Sequence, residues 1–166
     1  MVRPLHEDGL EGMAMLGFEA PAEDVEAIRD WFATWHDHVD AVNFVASRPL
    51  FDDEVIGFGT FMDTVIGLEN LEQRQWRSIW PTIRDFRFNL DSLKVGVSKD
   101  GCLAFGVITW DSTGIHEDDS TYPRPGRATV MFGRESRDEP WKGLHTHISL
   151  NPGTPQKSHG NRPETR

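Results

Sequence analysis

The feature that most restricts the fold of this chain is a change of period. Between residues 25 and 46 the apolar side chains recur at helical spacing, and from residue 86 to residue 150 the chain reads as strands. Val25, Ile28, Trp31, Phe32, Trp35, Val39, Val42 and Ala46 fall on one helix face. Pro21 and the acids after it suit a first turn, where the helix dipole favours negative charge, and Pro49 ends the run. A second helix is predicted over residues 68–80, with Leu68, Leu71, Gln75, Trp76, Ile79 and Trp80 inward and Pro81 closing or kinking it. Gly57 and Gly59 mark a short strand at 55–60 with a bulge or a close backbone approach. Strands are predicted at 86–98, 102–113, 126–135 and 141–150. The turns between them favour antiparallel hairpins. Helices first and a strand meander afterwards specify an α+β domain, with helices laid across one face of a curved antiparallel sheet.

One strand is unusual. Leu103, Phe105 and Val107 alternate with Ala104, Ile108 and Trp110, so residues 102–110 are apolar on both faces. A sheet with one wet face would alternate with polar residues. The second face is therefore expected to be covered by another copy of the chain, in a homodimer built through the outer sheet face. Trp110 belongs either to that face or to the interior.

At 166 residues one domain is expected, with an irregular lead-in at 1–20, the folded domain at 21–152 and a flexible tail at 153–166 that carries almost nothing apolar to bury. The single cysteine, Cys102, allows no internal disulfide and points to a reducing, cytoplasmic setting. The first residues lack a signal-peptide core, and no segment approaches transmembrane length. A formal net charge of −10 argues against nucleic acid and anionic membrane as partners, because both reward a basic face.

The element order, with "RATVMFGRE" followed by "WKGLHTHISLNP", resembles the SnoaL-like branch of the nuclear transport factor 2-like superfamily over residues 22–152. It also looks like the association domain of calmodulin-dependent kinases, which ends in a similar histidine-rich strand. The resemblance implies a cone-shaped α+β barrel with a central pocket in its wide end and dimerisation through the sheet. It does not imply ketosteroid isomerase chemistry. The positions matching that family's base, tyrosine and second acid fall near Phe58, Trp31 or Phe32, and Met131, and the only tyrosine, Tyr122, lies in a hairpin loop. The Asp–Arg–Asp arrangement of the related epoxide hydrolases is missing too, since Arg127 is followed by Thr129.

His145 and His147 stand two apart on one strand and so share a face, which period two also gives to Trp141, Gly143 and Ser149. By the resemblance that face looks into the cone, which makes the pair candidate acid–base residues. A hydrogen-bonded core pair is the competing account. A metal is not expected, because an H-x-H pair needs further ligands and only His38 could converge. Arg127, sharing a face with Thr129, would offer a guanidinium to an anionic ligand if it pointed inward; otherwise it is a surface arginine at a hairpin end. Trp35, His38, Phe58, Trp76 and Trp80 complete the candidate lining.

These residues suggest a small-molecule-binding protein with no cofactor. Its pocket would suit a small organic, carboxylate-bearing ligand. Two functions stay open: a lyase or isomerase using histidine as acid or base, or a binding or oligomerisation module without chemistry.

Overall fold

A computed structural model describes residues 18–165. The lead-in predicted for residues 1–20 lies outside the described residues up to residue 17.

Helix α1 (Ala22–Asp40) carries the predicted stripe, burying Ile28, Trp31, Phe32, Trp35 and Val39 on one side. It does not run on to Pro49. Val42 turns into the left-handed region at φ 52°, and a separate turn, α2 (Phe44–Ser47), follows. Asn43 caps that turn, its side-chain oxygen accepting the Ala46 N–H at 3.0 Å. A β-branched residue is rarely left-handed. Val42 is held there by complete burial of its side chain and by the Thr165 N–H, which donates to its carbonyl.

Eight strands follow: β1 (Phe51–Phe58), β2 (Val65–Ile66), β3 (Arg84–Phe88), β4 (Lys94–Val97), β5 (Leu103–Ile115), β6 (Thr121–Pro123), β7 (Gly126–Gly133) and β8 (Lys142–Leu150). They form one open sheet in the order β2-β1-β8-β7-β5-β3, with β4 and β6 also paired to β5. Two expectations are corrected here. The strand predicted at 86–98 is split by a 3-10 turn at Leu90–Ser92 into β3 and β4. The sheet is mixed rather than wholly antiparallel, because β1 pairs with the last strand, β8, in parallel.

Rows of paired residues show the two faces. Gly106, Val130, Thr146 and Gly57 run across the inner face, all buried; Val107, Thr129, His147 and Phe58 run across the outer face beside them. The inner rows let α1 come close. A Cβ on Gly106 would stand 2.8 Å from the Phe32 ring. Trp31 meets Phe51 and Phe132 edge-on at 5.2 and 4.9 Å, and its indole N–H donates to the Leu50 carbonyl at 3.0 Å. Each such aromatic pair adds about 0.5–1.5 kcal/mol beyond area burial. At the far end, Asp24 accepts from Arg134 at 2.9 Å and from the Trp141 indole at 3.2 Å, pinning the start of α1 to the ends of β7 and β8.

The face predicted for the histidines is reversed by one residue. Phe132 pairs with Gly143, but Met131 pairs with His145, so Leu144 is an extra residue in β8. A bulge of this kind shifts every following side chain to the opposite face. Gly143 is inward and, past the bulge, so are Thr146 and Ile148; His145 and His147 are outward.

The tail expected to be flexible is instead tied down. Ser158 is buried; its hydroxyl donates to the Thr82 carbonyl at 2.6 Å and accepts the Ile115 N–H at 2.9 Å. The His159 N–H donates to the Ile115 carbonyl at 2.8 Å and the Gly160 N–H to the Thr82 carbonyl at 3.1 Å. Arg162 reaches the carbonyls of Ile83, Asp40 and Trp80. Residues 156–165 therefore strap the end of the fold where α1, β5 and the second helix meet. They need no apolar side chains because they dock through polar groups: the Ser158 hydroxyl, the Arg162 guanidinium and backbone N–H groups.

Candidate functional site

The second helix is a composite. An α turn at Leu68–Asn70 leads into a π stretch at Leu71–Trp76, then α at Arg77–Ile79 and 3-10 at Trp80–Thr82, the last containing Pro81. π segments re-aim side chains and recur at functional sites. Here the segment lays Leu71 on Gly57 and Gln75 on Gly59. A Cβ on Gly57 would come within 2.4 Å of Leu71 Cδ1, and one on Gly59 within 2.1 Å of Gln75 Nε2. Where a bulge or a close backbone approach was expected at those two glycines, helix side chains make the approach. On the other side of the turn, Glu72 is clasped by Arg48 and Arg77. Burial would raise its carboxyl, but hydrogen bonds from both guanidiniums hold it below the usual range.

Between this helix, α1 and the inner sheet face lies a cavity of about 40 Å³. One water needs roughly 10–15 Å³, so a small group fits. Trp35 and Val39 come from α1, Thr60 from the loop after β1, and Gln75, Trp76, Ile79 and Trp80 from the composite helix. Phe86, Trp110 and Ile148 come from the sheet, and Arg124 from the corner between β6 and β7. Trp76 and Trp80 stack at 4.8 Å, and Phe86 meets Trp110 at 5.4 Å, so the walls are flat and aromatic.

Arg124 is the charged group of the lining. It is 1 % exposed. Its backbone is fixed on both sides: its N–H donates to the Ser112 carbonyl and its own carbonyl accepts the Ser112 hydroxyl, each at 2.8 Å. Its side chain donates to Thr60 Oγ1 at 3.1 Å and lies over the Trp110 ring at 5.7 Å. Among the described residues no carboxylate pairs with it. Burial lowers its pKa from the ordinary value, and Tyr122 offsets part of that. Its Nε has no hydrogen-bond partner, and neither have Gln75 Nε2 or the indole nitrogens of Trp35, Trp76 and Trp110. All five are donors, and all five residues line this cavity. A concave site with a buried guanidinium and no acid in its lining matches a ligand that carries negative charge.

Of the sequence-predicted residues, Trp35, Trp76 and Trp80 line the cavity. Trp110, left between two faces, is buried at 1 % exposure and lines it too. Arg127, Thr129, Phe58, His145 and His147 are brought together elsewhere, on the outer face. Phe58 sits edge-on to both imidazoles, at 4.8 and 5.3 Å, and His145 Nδ1 lies 2.8 Å from the Ile56 carbonyl. His38 is half-buried near the end of α1 and is not part of the lining. Among the described residues no group of three or more His, Cys, Asp or Glu side chains converges to hold a metal.

Arg124 was missed, although a signal for it exists. Gly126, Ala128, Val130 and Phe132 alternate as the small and apolar face of β7. Extending that period back by two positions reaches Arg124, whereas Arg127 falls on the opposite face. The flanking Pro123 and Pro125 disguised the position as loop.

The fold is shared with solved structures at low identity. A ketosteroid isomerase-like protein from Erwinia carotovora atroseptica superposes with a TM-score of 0.65 at 16% identity, covering 78% of this chain and 98% of that one. A nuclear transport factor 2-like superfamily protein from Salmonella enterica gives 0.65 at 17%, covering 79% and 93%. A Nostoc punctiforme protein of unknown function with a cystatin-like fold gives 0.67 at 16%, covering 84% and 99%. None of the curated proteins matches the chain. The model of the SnoaL-like domain matches residues 28–152, which takes in most of α1, the composite helix and all eight strands, and the chain belongs to that family.

Proposed function

We propose that this chain binds a small organic acid. The carboxylate sits against Arg124, and the carbon body lies among Trp35, Trp76, Trp80 and Trp110. The observation that carries the reading is the buried guanidinium without an acidic partner. A buried unpaired charge is costly, by several kcal/mol, unless an anion joins it. The reading is of capture rather than catalysis. The lining residues offer no imidazole, carboxylate, thiol, phenol or amine to move a proton near neutral pH. A reducing, cytoplasmic setting fits the single thiol, Cys102; no helix among the described residues is long and apolar enough to cross a membrane.

The cavity tryptophans provide the readout. Titrating small carboxylates at pH 7 should change the intrinsic fluorescence saturably, and Arg124→Met should weaken binding by about 1–3 kcal/mol, the range for a charge-assisted hydrogen bond. Equal affinity in the variant would refute the reading.

The partner proposed for the outer sheet face is a second copy. Ile56, Phe58, Ile66, Leu103 and Val107 are exposed large hydrophobics. All but Ile66 stand in adjoining outer rows of β1, β8, β7 and β5, with Ile66 beside Ile56 on β2. Light scattering at micromolar concentration should give about twice the 18.9 kDa chain mass, and a clean monomer would contradict it.

A further inference from the structure

A second hollow adjoins the cavity. It measures about 140 Å³ and lies between the loop after β1, the end of the composite helix and the C-terminal strap. Ile79 lines both spaces. The two linings are also neighbours along the chain, since Thr60 and Ile83 border the first where Phe61 and Thr82 border the second. Phe61 is 56 % exposed, an aromatic side chain at the rim of the hollow with nothing over it. The opposite wall is fixed rather than loose, because the Ser158 hydroxyl is bonded to both Thr82 and Ile115 and the Tyr122 hydroxyl donates to the Lys157 carbonyl at 2.8 Å.

We infer that these spaces form one two-chamber site and that the ligand is an amphiphilic acid. Its carboxylate sits at Arg124, and an apolar tail of several carbons passes Ile79 and emerges between Phe61 and the strap. This deepens the organic-acid reading and rests on it. The inner chamber has room for a head group and little more, so a longer ligand grows along the Ile79 side. The strap thereby becomes one wall of the exit.

The test is a homologous series. Straight-chain acids from acetate to decanoate, and the alcohols of matching length, are titrated against the full chain by tryptophan fluorescence. The acids should tighten by up to about fourfold per added methylene over the first several carbons, the increment expected for burying a CH₂. Gln156→Trp, at the strap side of the hollow, should abolish that gain, so that long acids bind no better than short ones. Ser78→Trp, at the helix side, should do the same by an independent route. Acid affinity that stays flat with chain length, or that rises as steeply in both variants as in the parent, would overturn the two-chamber site and leave the organic-acid reading standing. Alcohols binding as tightly as acids at every length would instead overturn the role of Arg124, and with it the class of ligand.

Discussion

Arg124 and Arg127 stand three residues apart and have opposite surroundings. Arg127 opens β7 on the outer face, solvent-exposed, beside Ser149 and Thr109. Arg124 lies just before the strand on the inner face, sealed among tryptophans, with Thr60 as its side-chain hydrogen-bond partner. The same contrast divides β8, where Thr146 and Ile148 face the interior and His145 and His147 face outward. Exposed charge is cheap and says little about function. Buried charge is expensive, so its retention points to a ligand or a structural partner. Among the described residues the buried carboxylates have cationic partners: Asp24 holds Arg134, and Glu72 holds Arg48 and Arg77. Among the same residues Arg124 has no carboxylate partner.

The largest effect should come from the strap that closes the inner side. Ending the chain at Pro155 removes the bonds of Ser158, His159, Gly160 and Arg162. At about 1 kcal/mol net per hydrogen bond, the loss should reach roughly 3 kcal/mol or more. A urea denaturation midpoint unchanged by the truncation would mean that the strap only decorates the fold.

The arginine comparison can be broken directly. Arg124→Met removes a buried unpaired charge and keeps most of the volume, so the ligand-free protein should gain about 1–3 kcal/mol in stability while losing carboxylate binding. Arg127→Met should change both by no more than about 0.5 kcal/mol, as exposed substitutions do. If Arg127→Met impaired binding and Arg124→Met did not, the assignment of faces would have to be exchanged.

The smallest effect is a pH dependence. His36 accepts the Phe88 N–H on Nδ1 at 3.3 Å. Burial lowers its pKa below 6.5, with Asp37 partly offsetting that. The unfolded chain therefore takes the proton first, and stability is full above about pH 6.5 and falls as pH drops through the lowered native value. Glu72, held below its ordinary 4.5, adds a second decline of the same sign between 4.5 and its own native value. His36→Gln keeps an acceptor but does not titrate. Thermal melts from pH 8 to pH 4 should lose the first step in that variant and keep the second; an unchanged first step would assign it to another group.

Periodicity alone determined the α1 stripe and the order of helices and strands. Each is a local pattern whose meaning depends only on the repeat of a helix or a strand. Period two also contained the placement of Arg124, but only for a strand extended through two prolines. Tertiary structure alone decided the rest. One extra residue at Leu144 turned His145 and His147 outward, because a strand has no memory of its face across a bulge. The parallel return of β1 against β8 is a pairing between residues about ninety apart, which no local repeat encodes. The tail is held by the Ser158 hydroxyl, the Arg162 guanidinium and backbone N–H groups, which bond to backbone groups of residues far away in the chain, so its polar composition carried no sign of where it docks.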